Sequence, residues 1–268
     1  MTSGRLPILV AGAGAMGGAL IAGWRRAGVA KGGDLILRDP HPGREALAAA
    51  AAGATLNPDD EILKRARTVV FAVKPQIWRV VASEIAPHLA LEAAIISVVA
   101  GVAAADLSEV FGGRSVARVM PTLGAAIGQG STAIWSADTS LAEDVAALFQ
   151  PLGAVTRLPN EDLMHVATAA SGSAPAYLYA FIEALEAGAV EAGLSADDAA
   201  RMVRATICGA AALLAASGED PAHLRRQVTS PGGTTQAALE VLMSEQGLTP
   251  LLAHAVKAAV DRSRELGL

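Results

Sequence analysis

The 268-residue chain has a single cysteine, Cys208. No disulfide can close within it, which suits a reducing compartment. Cys208 sits in an apolar run at 205–214, where a buried, inert thiol is expected. Aromatic residues are scarce, at 3% against 52% apolar overall. The core therefore falls to Ala, Val, Leu and Ile, and Ala-rich segments favour closely packed helices. Positive charge is also short: 21 Lys and Arg against 26 Asp and Glu leave −5. That excludes a nucleic-acid binder working through a broad basic surface, but not a local anion site made of backbone N–H groups. The one long uncharged run near the start, residues 6–24, is too rich in glycine, and interrupted by Pro7, to read as a spanning helix or a leader. No membrane association is expected, and the location expected is cytoplasmic. The five histidines (His41, His88, His165, His223 and His254) show no metal-ligand spacing, so no metal site is expected.

Short apolar runs at 6–10, 34–37, 68–73, 94–99, 115–119 and 131–135 read as strands. The segments at 16–27, 44–52, 77–86 and 141–150 read as helices. Such alternation predicts a parallel sheet covered on both faces. From about Asn160 strand signals stop, and helices are expected at 161–171, 174–192, from Ser195 onward, at 234–244 and at 249–265. Ser195 suits a helix N-cap, with Asp197 and Asp198 in the first turn, and Met202, Val203, Ile207, Leu213 and Leu214 form an apolar stripe. Thr249 suits an N-cap and Pro250 the first helical position. An Ala-rich bundle with so little polar covering suits packing against a second subunit.

Between the first strand and its helix runs Gly12-Ala13-Gly14-Ala15-Met16-Gly17. The Gly-x-Gly-x-x-Gly spacing is weak alone. After a strand and at the start of a helix it has a mechanism: Gly12 permits the turn, Gly14 leaves room for a pyrophosphate, and Gly17 lets helix and strand approach. At the end of the second strand, Asp39 would favour the ribose 2′-hydroxyl of NADH and Arg38 the 2′-phosphate of NADPH, with Arg44 nearby. The reading leans to NADPH, with NADH open. The loop Ala72-Val73-Lys74-Pro75 ends the third strand at the sheet's carboxyl edge, where Lys74 is either a ribose or phosphate contact or a solvated side chain. The fold class expected is α/β: a Rossmann-like parallel-sheet domain over 1–159 and an all-helical domain over 160–268.

Pro231-Gly232-Gly233-Thr234-Thr235 precedes a helix. Gly232 and Gly233 can take positive φ and turn successive N–H groups toward a carboxylate, and the helix N-terminus adds favourable potential. Thr235 can accept from an iminium N–H. The plain alternative is an ordinary loop with Thr as the helix cap.

These segments, with Val73-Lys-Pro-Gln76, Ser97-Val-Val-Ala-Gly-Val102, Arg118-Val-Met-Pro121, Ser171-Gly-Ser-Ala-Pro-Ala-Tyr177 and Val228-Thr-Ser-Pro-Gly-Gly-Thr-Thr235, resemble the pyrroline-5-carboxylate reductase family along almost the whole chain. The last two motifs are the most specific. The resemblance implies a nicotinamide-binding N-terminal domain and a helical domain that forms a homodimer, in some members a decamer. It implies an active site between the cofactor domain and the helical domains of the dimer. Thr235 would bind the substrate's ring nitrogen. Val228, Gly232, Gly233 and Thr234 would hold its carboxylate, with Ser171 and Ser173 near the nicotinamide. Gly12, Gly14, Met16, Gly17, Arg38, Ala72, Val73, Lys74 and Pro75 would line the cofactor. The chain departs from the family at Thr122-Leu123-Gly124, where Asn-Thr-Pro is usual, at Ala174 for glycine, and at His165 for aspartate.

The implied reaction is reduction of 1-pyrroline-5-carboxylate to L-proline by NADPH or NADH, the last step of proline synthesis. A cyclic imine needs little from the protein beyond alignment and exclusion of water, which fits a chain with no evident catalytic His–Asp or Lys–Asp pair. Two rivals fit the same residues. One is a related imine or hydroxyacid reductase; a hydroxyacid would call for a general acid, and the helical half offers only Lys257, near its end. The other is a non-catalytic nucleotide sensor.

Overall fold

The computed structural model describes residues 3–267; Met1 and Leu268, the outer ends of the two expected domains, lie outside them. Two compact units are present: Met1–Gly172 together with Ala259–Leu268, and Ser173–Ala258.

The first unit is built on one eight-stranded sheet. Its strands are β1 (Ile8–Ala11), β2 (Leu35–Arg38), β3 (Thr55–Leu56), β4 (Thr68–Phe71), β5 (Ala94–Ser97), β6 (Val116–Met120), β7 (Gly130–Ser136) and β8 (Gly153–Arg157), in spatial order β3-β2-β1-β4-β5-β6-β7-β8. The first six are parallel in the 3-2-1-4-5-6 order of dinucleotide-binding sheets. The sheet is parallel as expected except at one pairing, where β7 runs antiparallel to β6. The connection between them holds only a 3-10 turn, Leu123–Ile127, and a parallel return needs a longer crossover. β8 pairs parallel to β7 through such a crossover, the helix Thr139–Phe149.

Helices α1 (Ala15–Ala27), α2 (Arg44–Ala51), α3 (Asp60–Leu63), α4 (Trp78–Ile85), α5 (Ala104–Val110), α6 (Thr139–Phe149) and α7 (Leu163–Ala167) flank the strands. Side chains alternate along each strand. Val10 and Leu37 thus join Leu20, Ile21 and Trp24 of α1 and Leu148 and Phe149 of α6 on one face. Leu9 and Ile36 join Leu63, Ile85 and Phe111 on the other. Trp24 is fully buried. Its indole N–H donates to Leu148 O at 3.0 Å and its ring meets Phe149 edge-on at 5.6 Å. The first unit extends past the expected division at 159/160 because Met164 and Ala169 are buried, Met164 with Met120 of β6 and Ala133 of β7. After α7 the chain takes a π-helical turn, Thr168–Gly172.

The second unit contains α8 (Ala174–Glu191), α9 (Ala196–Ser217), α10 (Pro221–Gln227), α11 (Thr234–Leu242) and most of α12 (Leu248–Glu265). Ser195 caps α9, its hydroxyl accepting from Asp198 N–H at 3.1 Å. The cap expected at Thr249 is not used: α12 begins at Leu248, and Leu251 N–H bonds to Gly247 O, which leaves Thr249 and Pro250 inside the first turn. Of the α9 stripe, Val203 is buried while Met202, Leu213 and Leu214 are exposed. Cys208 is exposed too, against the expectation of burial, since an apolar run fixes the face to be covered but not what covers it within one chain. By length and composition α9 could also cross a membrane, a second candidate beside the stretch considered at 6–24.

Trp24→Ala should lower unfolding free energy by about 3–5 kcal/mol, read from equilibrium denaturation; a loss under about 1 kcal/mol would show that the α1–α6 layer is not the core of this unit.

Candidate functional site

The turn from β1 into α1 is shaped by three backbone approaches. Gly12 has φ +91°, and a Cβ there would lie 2.6 Å from Ala72 O. A Cβ on Gly17 would overlap the carbonyl oxygen of Gly12. At Gly14, the α1 N-cap position, a Cβ would meet nothing within 4 Å. Gly12 and Gly17 thus serve the fold, whereas the face at Gly14 is open. The first turn of α1 carries no acidic residue and no side-chain cap, so its N–H groups and dipole end are left for an anion. Met16 is the second residue of α1. A cleft of about 520 Å³ runs beside this turn, lined by Ala13, Gly14, Gly18, Arg44, Leu123 and others.

Asp39 and Arg38, adjacent in sequence, face opposite ways. One Asp39 carboxylate oxygen accepts from Ala13 N–H inside the glycine turn at 2.6 Å, and the other accepts from His41 N–H at 2.7 Å. Asn57 clamps the Asp39 backbone from both sides, accepting from its N–H at 2.9 Å and donating to its carbonyl at 2.8 Å. Arg38 instead pairs with Asp60 of α3, whose second oxygen lies 3.5 Å from His88 Nε2. Asp60 is held below the usual carboxylate range by its hydrogen bond from Arg38. Strand alternation places Arg38 with Ile36, on the face of Leu63 and Ile85, so its guanidinium does not reach the glycine turn. Arg44 pairs with Glu45 and is almost fully exposed.

Ala72 N–H bonds to Ala11 O at 2.8 Å, which brings the loop after β4 beside the glycine turn. Val73 is half-buried, Lys74 exposed, and Pro75 opens a 3-10 turn, Pro75–Ile77. Across the sheet, Thr122 accepts from Ser131 N–H at 2.9 Å, and Ser171 donates to the Ser131 hydroxyl at 3.1 Å. The family departure at Gly124 has a local reason: a Cβ there would lie 2.6 Å from Gln129 O.

In the second unit, Ser173 occupies the N-cap position of α8. Gly232 has φ +70° and Gly233 is the N-cap of α11 with no side-chain cap. Thr234 and Thr235 therefore stand inside the helix and neither is its cap. Gly233 N–H donates to Ser230 O at 3.0 Å, and Gly232 N–H donates to the Gln236 amide oxygen at 2.8 Å. An acceptor is thus already seated where a carboxylate was expected, and a bound carboxylate would replace it at Gly232. Val228, at the end of α10, is exposed.

Sequence reasoning passed over one polar cluster of the first unit. Arg118 on β6 is 3% exposed and donates to Glu161 at 2.9 Å. The same Glu161 oxygen accepts from Ala104 N–H at the start of α5, at 2.7 Å. One turn on, His165 Nδ1 lies 3.0 Å from Ser263 Oγ in the last turns of α12. Burial, then the nearby Arg118 and Arg264, push the His165 pKa down. The Arg118-Val-Met-Pro motif was the available signal, but its partners come from positions far along the chain.

A 3-2-1-4-5-6 sheet with an open glycine turn, joined to a helical unit with a largely uncovered apolar surface, defines a dinucleotide-dependent oxidoreductase with a helical association domain. Residues 7–101 match the family described as NADP oxidoreductase coenzyme F420-dependent, and residues 161–266 match pyrroline-5-carboxylate reductase dimerisation. The chain belongs to the pyrroline-5-carboxylate reductase family. It is 36% identical to the pyrroline-5-carboxylate reductase of Pisum sativum over 257 residues, covering 95% of this chain and 94% of that one. It is 36% identical to the enzyme of Pseudomonas aeruginosa over 262 residues, covering 95% and 94%. Among solved structures, it resembles the Plasmodium falciparum pyrroline carboxylate reductase with NADP bound, with a TM-score of 0.84, 28% identity and 99% of each chain covered.

His165 ties stability to pH. Its folded pKa lies below its ordinary 6.5, so its neutral form is the one the fold favours. The contribution is complete above that ordinary value and is lost as pH falls through the lower folded value. Denaturation midpoints followed from pH 8 to pH 5 should therefore fall more steeply in the parent than in His165→Asn; parallel curves would remove His165 as a source of the acid sensitivity.

Proposed function

We propose that the protein reduces 1-pyrroline-5-carboxylate to L-proline with NADPH, NADH also being usable, as the last step of proline synthesis. Family membership names the reaction. The structural observation that supports it is the open, uncapped N-terminus of α1 at Gly14, where a side chain would fill the space a pyrophosphate needs. The first unit, which contains residues 1–159 and continues to Gly172, acts as the dinucleotide-binding domain, and the second, Ser173–Ala258, as the substrate and dimerisation domain. Gly14 and the first N–H groups of α1, at Met16 and Gly17, hold the pyrophosphate, Gly12 makes the turn that presents them, and Ala72, Val73, Lys74 and Pro75 line the neighbouring loop. When bound, the reduced nicotinamide supplies a hydride.

The remaining work belongs to the chain's own residues. The imine nitrogen of the substrate takes a proton from solvent near neutral pH, and its carbon then accepts two electrons. Thr235 accepts from the iminium N–H and fixes the ring's orientation, since its hydroxyl is not spent capping α11. The Gly232 N–H group, exchanging its Gln236 acceptor for the ligand, holds the carboxylate with Thr234 and the dipole of α11, while Gly233, whose N–H stays on Ser230 O, shapes the loop. Val228 lies in the same segment, and Ser171 and Ser173 bound the nicotinamide side. The exposed apolar residues of α8 and α9, among them Phe181, Leu185, Met202 and Leu213, are covered by a second copy. A homodimer, assembling further to a decamer, in the cytoplasm is the form we propose.

Two variants separate the roles. Thr235→Ala should lower kcat/KM for pyrroline-5-carboxylate about 10- to 100-fold, the worth of a hydrogen bond to a charged group, with NADPH affinity unchanged; full turnover would remove Thr235 from the reaction. Gly14→Ala should unfold within about 1 kcal/mol of the parent yet bind NADPH about tenfold more weakly or worse. Undiminished NADPH binding would move the pyrophosphate elsewhere.

A further inference from the structure

The carboxyl end of β2 has an unusual charge arrangement for an NADPH enzyme. A 2′-phosphate is generally met there by an arginine, and a 2′-hydroxyl by an acid. Both kinds of residue are present, but Arg38, the cation at the strand end itself, is committed elsewhere. Arg38 is paired with Asp60, whereas Arg44, beside Glu45, stays almost fully exposed and lines the cleft next to the glycine turn. Asp39, by contrast, presents its carboxylate to the glycine turn through Ala13 N–H. The parity of β2 explains the split, since consecutive residues project to opposite faces. Arg38 follows Ile36 onto the face of Leu63, where α3 opens with Asp60. Its pair is partly shielded, with the Arg38 side chain 32% exposed, and His88 lies on the far oxygen of Asp60.

We propose that Asp60 is a positioning residue for cofactor choice: by holding Arg38 on the α3 face of the sheet, it keeps the guanidinium from the cofactor's 2′-phosphate and narrows the preference for NADPH over NADH. This rests on the reading that the adenosine end of the cofactor lies at the β1–β2 edge. Asp60 and a 2′-phosphate compete for one guanidinium. With Asp60 charged, the ribose end faces Asp39, and the only nearby guanidinium among the described residues lining the cleft is that of Arg44. With Asp60 neutral, Arg38 is free to rotate about its long side chain and meet the phosphate bidentately.

The test is a comparison of two adenosine ligands, 2′,5′-ADP and ADP, titrated calorimetrically into the full-length protein. Asp60→Asn is expected to raise the affinity ratio of 2′,5′-ADP to ADP about 3- to 5-fold, the release of one solvent-accessible ion pair. Asp60→Glu should keep the parent ratio. Adding Arg38→Ala to Asp60→Asn should abolish the gain. In turnover with both cofactors, the change should appear as a lower KM for NADPH with the KM for NADH and kcat held. An unchanged or lowered ratio in Asp60→Asn, or a gain that persists in the double variant, overturns the proposal. So does a selective loss of 2′,5′-ADP binding in Arg38→Ala alone, which would mean that Arg38 already serves the phosphate. Asp60→Ser provides a second neutral side chain, with the same increase expected. Because both ligands lack the nicotinamide, failure to turn over pyrroline-5-carboxylate counts against the reaction alone, and a ratio of the wrong sign counts against Asp60 alone.

Discussion

The first unit depends on a place where three stretches of backbone meet with no side chain between them. Gly12 faces the Ala72 carbonyl, and Gly17 faces the carbonyl of Gly12 itself. Any Cβ at either position would force β1 and α1 apart or push β4 away from β1. The cost would spread through the packed core, because Val10, Leu20, Ile21 and Trp24 are all fully buried around that contact. Holding the helix this close aims its first N–H groups along the sheet's carboxyl edge. Gly14 is under no such constraint, since no described residue beyond its chain neighbours lies within 4 Å of where its Cβ would stand. Two glycines of the motif are required by the backbone around them and the third is not, although the sequence writes all three with the same letter.

That distinction measures what could be read before the structure was known. The strands with uninterrupted apolar runs were legible because they are buried on both faces, as β1, β4 and β5 are. β3 was not, because two residues, Thr55 and Leu56, carry no periodicity. β8 was missed for another reason: as an edge strand it is half-exposed, and Gly153–Arg157 reads like a loop. The direction of β7 is a property of its connection, which composition does not encode. α10 is short, and its Asp220 cap with Pro221 at the first position reads as easily as a turn.

The candidate site was legible to the same depth. Local backbone features, the glycine turn into α1 and the helix start at Thr234, could be placed from sequence. Residues whose role depends on a distant partner could not. Arg118 needs Glu161, and His165 needs Ser263, separated by 98 positions. Cys208 and the α9 stripe fail in a related way. The stripe reports a surface to be covered, and in one chain much of it is not. The helical region matches a family described by its dimerisation, which is why we propose a second copy as the missing cover.

Asp39 shows how one side chain can be structural and selective at once. Its carboxylate receives two backbone N–H groups, which pre-organises the glycine turn before any ligand arrives and lowers the cost of ordering it. The same oxygens carry negative charge at the edge between β1 and β2. A ligand hydroxyl there can donate to them, while a phosphate must come with a cation of its own or find one nearby. The protein contains that cation one residue away, on the wrong face of the strand. Under the role we propose for Asp60, cofactor choice at this edge follows from the two-residue repeat of a β-strand and from which acid reaches the arginine first, rather than from the presence or absence of an arginine in the sequence.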